Sequence, residues 1–463
     1  MKFFGSLVEG NGWVGKYYKL DKQIFDLLSL QSIDLKKYPY LLESSSRGNK
    51  NNRFSILFFK PKVFLHKTKN DKKSFLDEFD IIWRKERIEQ NDFYFNSKKI
   101  PFCGGWFVYL GYELVEEIEP RLSIPKSPFK LPTAFASRIN TAIIFDHIDN
   151  EIFITSDDKS SFFNDILDIE KDFSKILYEN RKLSGKIKIL TKGSEHEHQE
   201  QVRKCIDYIF QGEIFQANLS RLWKFQIDKK IDEIDIYRQL RYKNPSPFAG
   251  LINYESSNII CSSPERLVSV NGDNLETRPI AGTRPRGSSG LQDIELSMEL
   301  INSDKEKAEH LMLVDLERND ISKVCKPGSV KVNEMMTIES YAHVHHIVSN
   351  ICGLKIDDIT PGKIIRSLFP GGTITGCPKV RCMEILGELE REGRGPYTGS
   401  LGYVTHSGNM DLNILIRSML KEKDFVYFRA GGGIVADSVP ENETFETEAK
   451  ANGMLKALGS FNK

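Results

Sequence analysis

The order of strand-like and helical segments along the chain constrains the fold more than any other feature. Short segments rich in β-branched and aromatic residues predict strands at 54–59, 141–145 and 151–155. Apolar residues spaced i, i+3, i+4, i+7 and i+8 from Val202 to Phe210 predict a helix. Strands and helices then follow one another without strict alternation, so the sequence predicts an α+β fold.

The second half of the chain carries most of the predicted helices. Strands are predicted in this half at 248–254, 258–261, 399–405, 413–417 and 425–430. Over the whole chain, helices are predicted at 160–178, 202–210, 303–315, 364–369, 380–388 and from Pro440 onward. A polar run at 192–199 separates the strand-rich part from the mixed part. We therefore expect an N-terminal region of 1–190 and a second region of 191–463.

Composition excludes several classes of protein. The 463 residues are 40% hydrophobic, which is enough for a large core. The formal net charge of +1 favours neither nucleic acid nor an anionic membrane as a partner. No run of apolar residues is long enough to span a membrane, and 1–15 does not resemble a signal peptide. The seven scattered cysteines lack CxxC spacing, so we expect no disulfide framework, no zinc site and a cytoplasmic location.

Two pairs of glutamates are spaced to share one face of a helix. Glu306 and Glu309 follow Ser303, and Glu443 and Glu446 precede Lys450. Four carboxylates on two helices could hold Mg²⁺, which is commonly bound by a few carboxylates, waters and an anionic substrate. Each pair also has a structural interpretation: a capping box for the first, and a solvated face with a Glu446–Lys450 pair for the second.

Three further segments are candidates for ligand binding. The segment 277–287 contains three arginines and two prolines around Gly282 and Thr283, and it predicts a stiff basic loop that binds an anion rather than a simple exposed turn. The segments 369–376 and 430–435 are rich in glycine and could present backbone N–H groups to a carboxylate, or could be tight turns. Neither has the pattern of a phosphate-binding loop.

Two single positions complete the candidates. Glu265 follows a predicted strand and could serve as a general acid if burial raised its pKa, or could pair with Arg266. His343, His345 and His346 could suggest a metal, but no second cluster of matching ligands accompanies them.

Taken together, these segments resemble the chorismate-utilising enzymes, a family that includes anthranilate synthase component I, aminodeoxychorismate synthase component I and the isochorismate and salicylate synthases. The resemblance covers nearly the whole chain and is densest from Gln199 onward, at 278–287, 313–320 and 372–379. It implies a single large α+β unit with two stacked, antiparallel-rich sheets flanked by helices, and chorismate as the substrate.

The resemblance also implies roles for individual residues. Glu309 and Glu446 would be the main Mg²⁺ ligands, with Glu306 and Glu443 in support. Glu265 would be the general acid that assists departure of the C4 hydroxyl. The substrate would be held by these residues: Lys450 and the backbone near Gly432 at a carboxylate, Tyr397 and Arg417 at the enolpyruvyl carboxylate, and Thr283, His346 and Thr373 around the ring.

The nucleophile and the product follow from two positions. Family members that add water carry a lysine base where this chain has Gln216, and an amide is not a base near neutral pH. This predicts ammonia as the nucleophile, supplied by a separate glutaminase subunit. Ala281 stands where aminodeoxychorismate synthases commonly carry a lysine, which favours anthranilate synthase, whereas 369–376 and 344–349 resemble the aminodeoxychorismate type.

We therefore expect amination of chorismate to 4-amino-4-deoxychorismate, without a lysine adduct. The alternatives are anthranilate synthase component I and a regulatory paralogue that has lost its chemistry. The segment 40–45 resembles the stretch near the tryptophan pocket of feedback-inhibited anthranilate synthases, and some aminodeoxychorismate synthases keep a comparable pocket.

Overall fold

Two large antiparallel sheets stacked face to face form the centre of the fold. The computed structural model describes residues 5–10, 12–20, 25–45, 53–88, 93–95, 98–176, 183, 185–341 and 344–459. His343 and the end of the helix predicted at 160–178 lie outside these residues.

The strands, in chain order, are β1 (Gly5–Gly10), β2 (Trp13–Lys19), β3 (Tyr40–Glu43), β4 (Phe54–Phe59), β5 (Lys62–Lys67), β6 (Phe93–Phe95), β7 (Lys98–Ile100), β8 (Gly105–Leu110), β9 (Ala134–Ile139), β10 (Thr141–Asp146), β11 (Glu151–Ser156), β12 (Ile187–Thr191), β13 (Gln216–Ile227), β14 (Phe248–Tyr254), β15 (Ser257–Ser263), β16 (Arg266–Asn271), β17 (Asn274–Arg278), β18 (Ile280–Pro285), β19 (Lys331–Ser340), β20 (Val344–Leu354), β21 (Gly376–Cys377), β22 (Ser400–Thr405), β23 (Met410–Asn413), β24 (Ser418–Glu422) and β25 (Phe425–Ile434).

The helices are α1 (Leu27–Gln31), α2 (Phe75–Glu86), α3 (Val115–Ile118), α4 (Phe162–Phe173), α5 (Glu195–Phe210), α6 (Glu233–Lys243), α7 (Gly290–Asn302), α8 (Asp304–Ser322), α9 (Pro361–Leu368), α10 (Lys379–Glu390) and α11 (Pro440–Ala457). Short 3₁₀ turns occur at Tyr112–Leu114 and Gly372–Ile374.

The first sheet runs in the order β1-β2-β11-β10-β4-β3-β14-β15-β24-β25-β13-β12, with β21 beside β13. The second runs β18-β20-β17-β16-β23-β22-β8-β9-β5, with β19 beside β20. Strands from both predicted regions meet in each sheet, since β3 pairs with β14 and β22 pairs with β8. The regions 1–190 and 191–463 therefore share both sheets, and the fold is the predicted single α+β unit.

Hydrophobic side chains fill the space between the sheets and the space outside each of them. Between the sheets, Tyr40 of the first stacks on Phe107 of the second with ring centroids 4.3 Å apart. Outside the first sheet, α4, α6 and α11 cover a core that includes Trp223 and Phe428. Outside the second, α2, α8 and α9 cover a core that includes Trp83. The result is a helix–sheet–sheet–helix arrangement.

Most predicted elements are present, two predictions about local structure are wrong, and one of the two interpretations of 430–435 is excluded. The basic segment 277–287 is not a loop: it forms β17 and β18, interrupted at Pro279, which cannot donate a ladder hydrogen bond. The glycines at 431–433 do not form a turn, because β25 is paired along its length with β13. The strand predicted at 413–417 ends at Asn413. Within the described ranges, no helix is long and apolar enough to cross a membrane.

Candidate active site

The two glutamate pairs face each other across the ends of two glycine-containing strands. Ser303 caps α8 by accepting a hydrogen bond from the Glu306 N–H at 3.4 Å, so both Glu306 and Glu309 lie in the first two turns. A Cβ placed on Gly282 of β18 would lie 2.8 Å from Oε2 of Glu306. A Cβ on Gly432 of β25 would lie 3.4 Å from both Glu443 Oε2 and Glu446 Oε1. Gly282, which has a φ of 62°, lets Glu306 approach the backbone, and Gly432 lies in ordinary contact distance of Glu443 and Glu446.

The electrostatics of this group favour a cation. The pKa of Glu309 is raised to about 7. Burial is the main cause, and the nearby carboxylates of Glu306 and Glu446 also raise the pKa. Glu443 is buried, and its Oε1 accepts a hydrogen bond from Ser438 at 2.6 Å while its Oε2 has no partner. Lys450 contacts Glu446 at 2.6 Å, as the i,i+4 spacing predicts. The buried, unpartnered oxygen and the mutual repulsion both fit a divalent cation at this place.

The predicted ligands are not packed into a closed cage. Among the described residues, only Asp146, Asp149 and Glu151 bring three acidic oxygens within 4.8 Å of one another. That cluster already contains an ammonium group, because Lys98 contacts all three carboxylates. The more open spacing of the helical glutamates suits Mg²⁺, which keeps several waters and needs few protein ligands.

Glu265 lies in the turn between β15 and β16, where it is only 4% exposed. Thr373 donates a hydrogen bond to its Oε1 at 2.7 Å. Burial raises the pKa of Glu265 to about 7, against the opposing effects of Thr373 and Lys450. Arg266 does not pair with it, since the Arg266 guanidinium binds Asp411 at 2.8 Å. Glu265 therefore has the environment of a carboxylic acid that can give up a proton near neutral pH.

Arg417 faces this acid, and His346 lies near Arg417. Thr283 Oγ1 and His346 Nδ1 are 2.9 Å apart, and both residues lie on paired positions of β18 and β20. Burial lowers the pKa of His346 to about 3, and the cation of Arg417 contributes to this, so the imidazole is neutral. Arg417 has a φ of 50° and lines a cavity together with His346 and Tyr341. The ring of Tyr341, which sequence reasoning did not identify, meets His346 edge-on at 5.8 Å.

Strand β25, which contains Gly431, Gly432 and Gly433, forms another wall of the site. A Cβ on Gly431 would lie 2.8 Å from both Tyr397 Oη and Asn218 Oδ1. A Cβ on Gly433 would lie 2.1 Å from Gln216 Nε2. Gln216 is buried, and its Oε1 has no hydrogen-bond partner. Burial raises the pKa of Tyr397 to about 12, so its hydroxyl is a hydrogen-bond donor at neutral pH. Asn218 is a second residue that the sequence did not single out.

The arginines of the segment 277–287 do not form an anion site, contrary to the prediction. Each is engaged by carboxylates that lie elsewhere in the sequence: Arg278 by Glu339 at 2.5 Å, Arg284 by Glu299 at 2.9 Å and by Glu306 at 3.2 Å, and Arg286 by Asp293 at 2.7 Å. Their charges are therefore already compensated.

Ala281 is nearly buried and stands opposite Ile347 in the ladder between β18 and β20. Leu42, Glu43 and Ser44, from the stretch that resembles the tryptophan-pocket segment, line a separate cavity of about 270 Å³ together with Phe248 and Asn413.

The chain is similar in sequence to proteins of one known family. The profile of the family described as chorismate binding enzyme matches residues 38–456. The chain is 40% identical over 361 residues to an anthranilate synthase component I-like protein of Synechocystis sp., an alignment that covers 78% of this chain and 73% of the relative. It is 39% identical over 367 residues to aminodeoxychorismate synthase component 1 of Bacillus subtilis, with 77% of each chain covered.

A solved structure has the same fold. The crystal structure of anthranilate synthase component I from Streptococcus pneumoniae superimposes with a TM-score of 0.76 at 29% sequence identity, covering 88% of this chain and 93% of that one. The chain belongs to the chorismate binding enzyme family, and it is a chorismate-utilising enzyme.

Proposed function

We propose that this chain converts chorismate and ammonia into 4-amino-4-deoxychorismate and water. The environment of Gln216 carries the choice of ammonia as the nucleophile, and the segments 369–376 and 344–349, which resemble the aminodeoxychorismate type, carry the choice of product. Its buried side chain lies against Gly433 and offers an unpartnered Oε1, which can accept an N–H from ammonia. A lysine at this position would instead supply the base that removes a proton from water. An amide acceptor orients ammonia, which is already a nucleophile and needs no base.

Glu265 is the general acid of the proposed reaction. Its pKa of about 7 keeps a substantial part of the carboxyl protonated at neutral pH. As the new carbon–nitrogen bond forms, the bond from C4 to its hydroxyl breaks, and the Glu265 proton leaves with the hydroxyl as water. A proton from the attached nitrogen restores the acid. Thr373, bound to Glu265 Oε1 at 2.7 Å, holds the carboxyl in one orientation.

The two carboxylates of chorismate would be held at opposite ends of the site. Tyr397 and Arg417 supply a hydroxyl donor and a cation for the enolpyruvyl carboxylate. Lys450 and the backbone near Gly432 receive the ring carboxylate next to the glutamate pairs. Thr283, Thr373 and neutral His346 would line the ring between these ends.

Mg²⁺ is the cofactor that the glutamates would hold. Glu309 and Glu446 are the main ligands in this proposal, and Glu306 and Glu443 support them. A bound Mg²⁺ would compensate the negative charge of the ring carboxylate and polarise that group. The unpartnered Oε2 of Glu443 and the raised pKa of Glu309 support this assignment.

Ammonia would come from a separate glutaminase subunit, since the two relatives named above are called component I or component I-like proteins. The seven cysteines are free thiols, and all but Cys377 are buried, which supports a reducing, cytoplasmic location.

Anthranilate synthase is the second candidate, and Ala281 favours it. The small side chain opposite Ile347 cannot provide the amine that commonly precedes ammonia in aminodeoxychorismate synthases. The segments 369–376 and 344–349 favour the aminodeoxychorismate product. A non-catalytic paralogue is the third candidate, and the complete set of acid, glutamate and carboxylate-binding residues argues against it.

Product analysis tests the proposal. Purified protein is incubated with chorismate, MgCl₂ and an ammonium salt, and the products are separated by chromatography with and without an added aminodeoxychorismate lyase. We expect a product that becomes 4-aminobenzoate only when the lyase is present. Accumulation of fluorescent anthranilate would establish the second candidate instead, and absence of turnover with every nitrogen source would favour the third.

A further inference from the structure

Glu317 is a buried carboxyl group that none of the proposed roles uses. It lies on α8, on the same helix as Glu306 and Glu309, and its side chain is only 4% exposed. Both of its oxygens are engaged. Oε2 accepts a hydrogen bond from Thr277 Oγ1 at 3.0 Å, and Oε1 accepts one from the Gly372 N–H at 3.2 Å. The carboxylate therefore joins β17 to the turn at Gly372–Ile374.

That turn carries the residue that orients the proposed acid. Thr373, next to the Gly372 N–H, donates to Glu265 Oε1 at 2.7 Å. The turn is closed independently by Thr375 Oγ1, which donates to the Gly371 carbonyl at 2.8 Å. A chain of contacts thus runs from Glu317 through one backbone amide to Thr373 and then to Glu265.

The charged groups around the two carboxyls are few and can be named. Lys379 of α10 and Asp320, one turn later on α8, both lie near Glu317, and they contact each other at 2.5 Å. Glu265 is faced by Lys450 of α11 and by Arg417, which precedes β24. Burial raises the pKa of each carboxyl to about 7, and the nearby Glu317 is a further cause of the raised pKa of Glu265.

We propose that Glu317 is a positioning residue for the reaction: it fixes the turn that aims Thr373 at Glu265, and its negative charge favours the acid form of Glu265. This inference rests on the proposed role of Glu265 as the general acid. It assigns a purpose to a buried carboxyl that would otherwise only cost desolvation energy.

The pH dependence of Glu317→Gln tests the inference. Gln keeps the size and one acceptor oxygen but removes the charge, so ionisation of Glu265 becomes easier. We expect the alkaline limb of kcat for chorismate consumption, at constant free ammonia, to move to lower pH by about half a pH unit or more, which is a loss of about threefold or more on that limb. The KM for chorismate should change little, because both oxygens of Glu317 are engaged by Thr277 and Gly372.

Asp315→Asn is the matched control. Asp315 lies on the same helix, its side chain is 74% exposed, and Arg318 contacts it at 3.1 Å. The control changes the net charge by the same amount, and it should leave the alkaline limb of kcat at the same pH. If Glu317→Gln does not fold, Thr277→Val replaces it: losing the Thr277 hydrogen bond makes Glu317 harder to ionise, so the limb should move in the same direction.

The outcomes separate the two proposals. A rate loss that is equal at all pH values, or no loss at all, would overturn the role of Glu317 while leaving the proposed function intact. Absence of an aminated product from the unmodified protein would instead overturn the proposed function.

Discussion

Replacing Glu265 by Gln should abolish most of the activity and at the same time stabilise the protein at alkaline pH. At a pKa of about 7, close to half of the Glu265 side chains are protonated at pH 7, compared with about 0.3% for a carboxyl with a pKa of 4.5. Gln cannot donate this proton, and a positioned general acid typically contributes about 10²- to 10⁴-fold. We therefore expect kcat to fall by at least about 100-fold.

The stability effect follows from the same burial. The folded-state pKa of Glu265 is raised, so the folded protein holds this proton more tightly than the unfolded chain between about pH 4.5 and 7. The free energy of unfolding therefore decreases as the pH rises through this window, by roughly 3 kcal/mol for a rise in pKa from 4.5 to about 7. Glu265→Gln lacks this titration, and it should exceed the unmodified protein in stability above about pH 8.

Urea denaturation at about pH 5 and pH 8.5, followed by circular dichroism, measures the stability difference, and chorismate consumption measures the rate. Glu295→Gln, an exposed position on α7, is the control for the loss of one charge. The reasoning would be refuted if Glu265→Gln kept a tenth or more of the activity, or if it were less stable than the unmodified protein at the higher pH.

Three further predictions concern the metal, the nucleophile and the support of the site. Glu309→Gln should weaken Mg²⁺ binding about 10- to 100-fold, measured by calorimetry. In the unmodified protein, the affinity for Mg²⁺ should fall as the pH drops below about 7, because Glu309 must lose its proton to bind the ion. An unchanged affinity would contradict the assignment. Gln216→Leu should raise the KM for ammonia at least about threefold and leave the KM for chorismate unchanged; steady-state kinetics in both substrates would contradict this if the two constants moved together. Glu390→Ala should lower the free energy of unfolding by about 3–5 kcal/mol in urea, because buried Arg394 and Arg429 would lose their shared carboxylate; a loss below about 1 kcal/mol would show that these arginines find other partners.

The local elements of the site could be predicted from the sequence because local rules determine them. Ser303 before a charged helical turn predicts the start of α8, and that helix begins at Asp304. The spacing of Glu443 and Glu446 on one helical face is equally local, and the Glu446–Lys450 contact follows from it. The order of strands and helices was sufficient for the fold class.

The rest depends on contacts between residues far apart in the chain. The arginines at 278, 284 and 286 look like an anion site until Glu339, Glu299 and Asp293 are brought beside them by β19 and α7. Glu317 has the sequence context of an ordinary helical residue, and only the packing of α8 against Thr277 and Gly372 shows that it is buried. No periodicity in the sequence reports such pairings.

Nitrogen placement in the product tests the central proposal most directly. Chorismate is incubated with the protein, MgCl₂ and ¹⁵N-labelled ammonium in the absence of any lyase, and pyruvate release is measured alongside NMR of the labelled product. The proposed function predicts ¹⁵N bonded to C4, an intact enolpyruvyl ether and no pyruvate. Nitrogen at C2 with equimolar pyruvate would contradict it and identify the chain as an anthranilate synthase component.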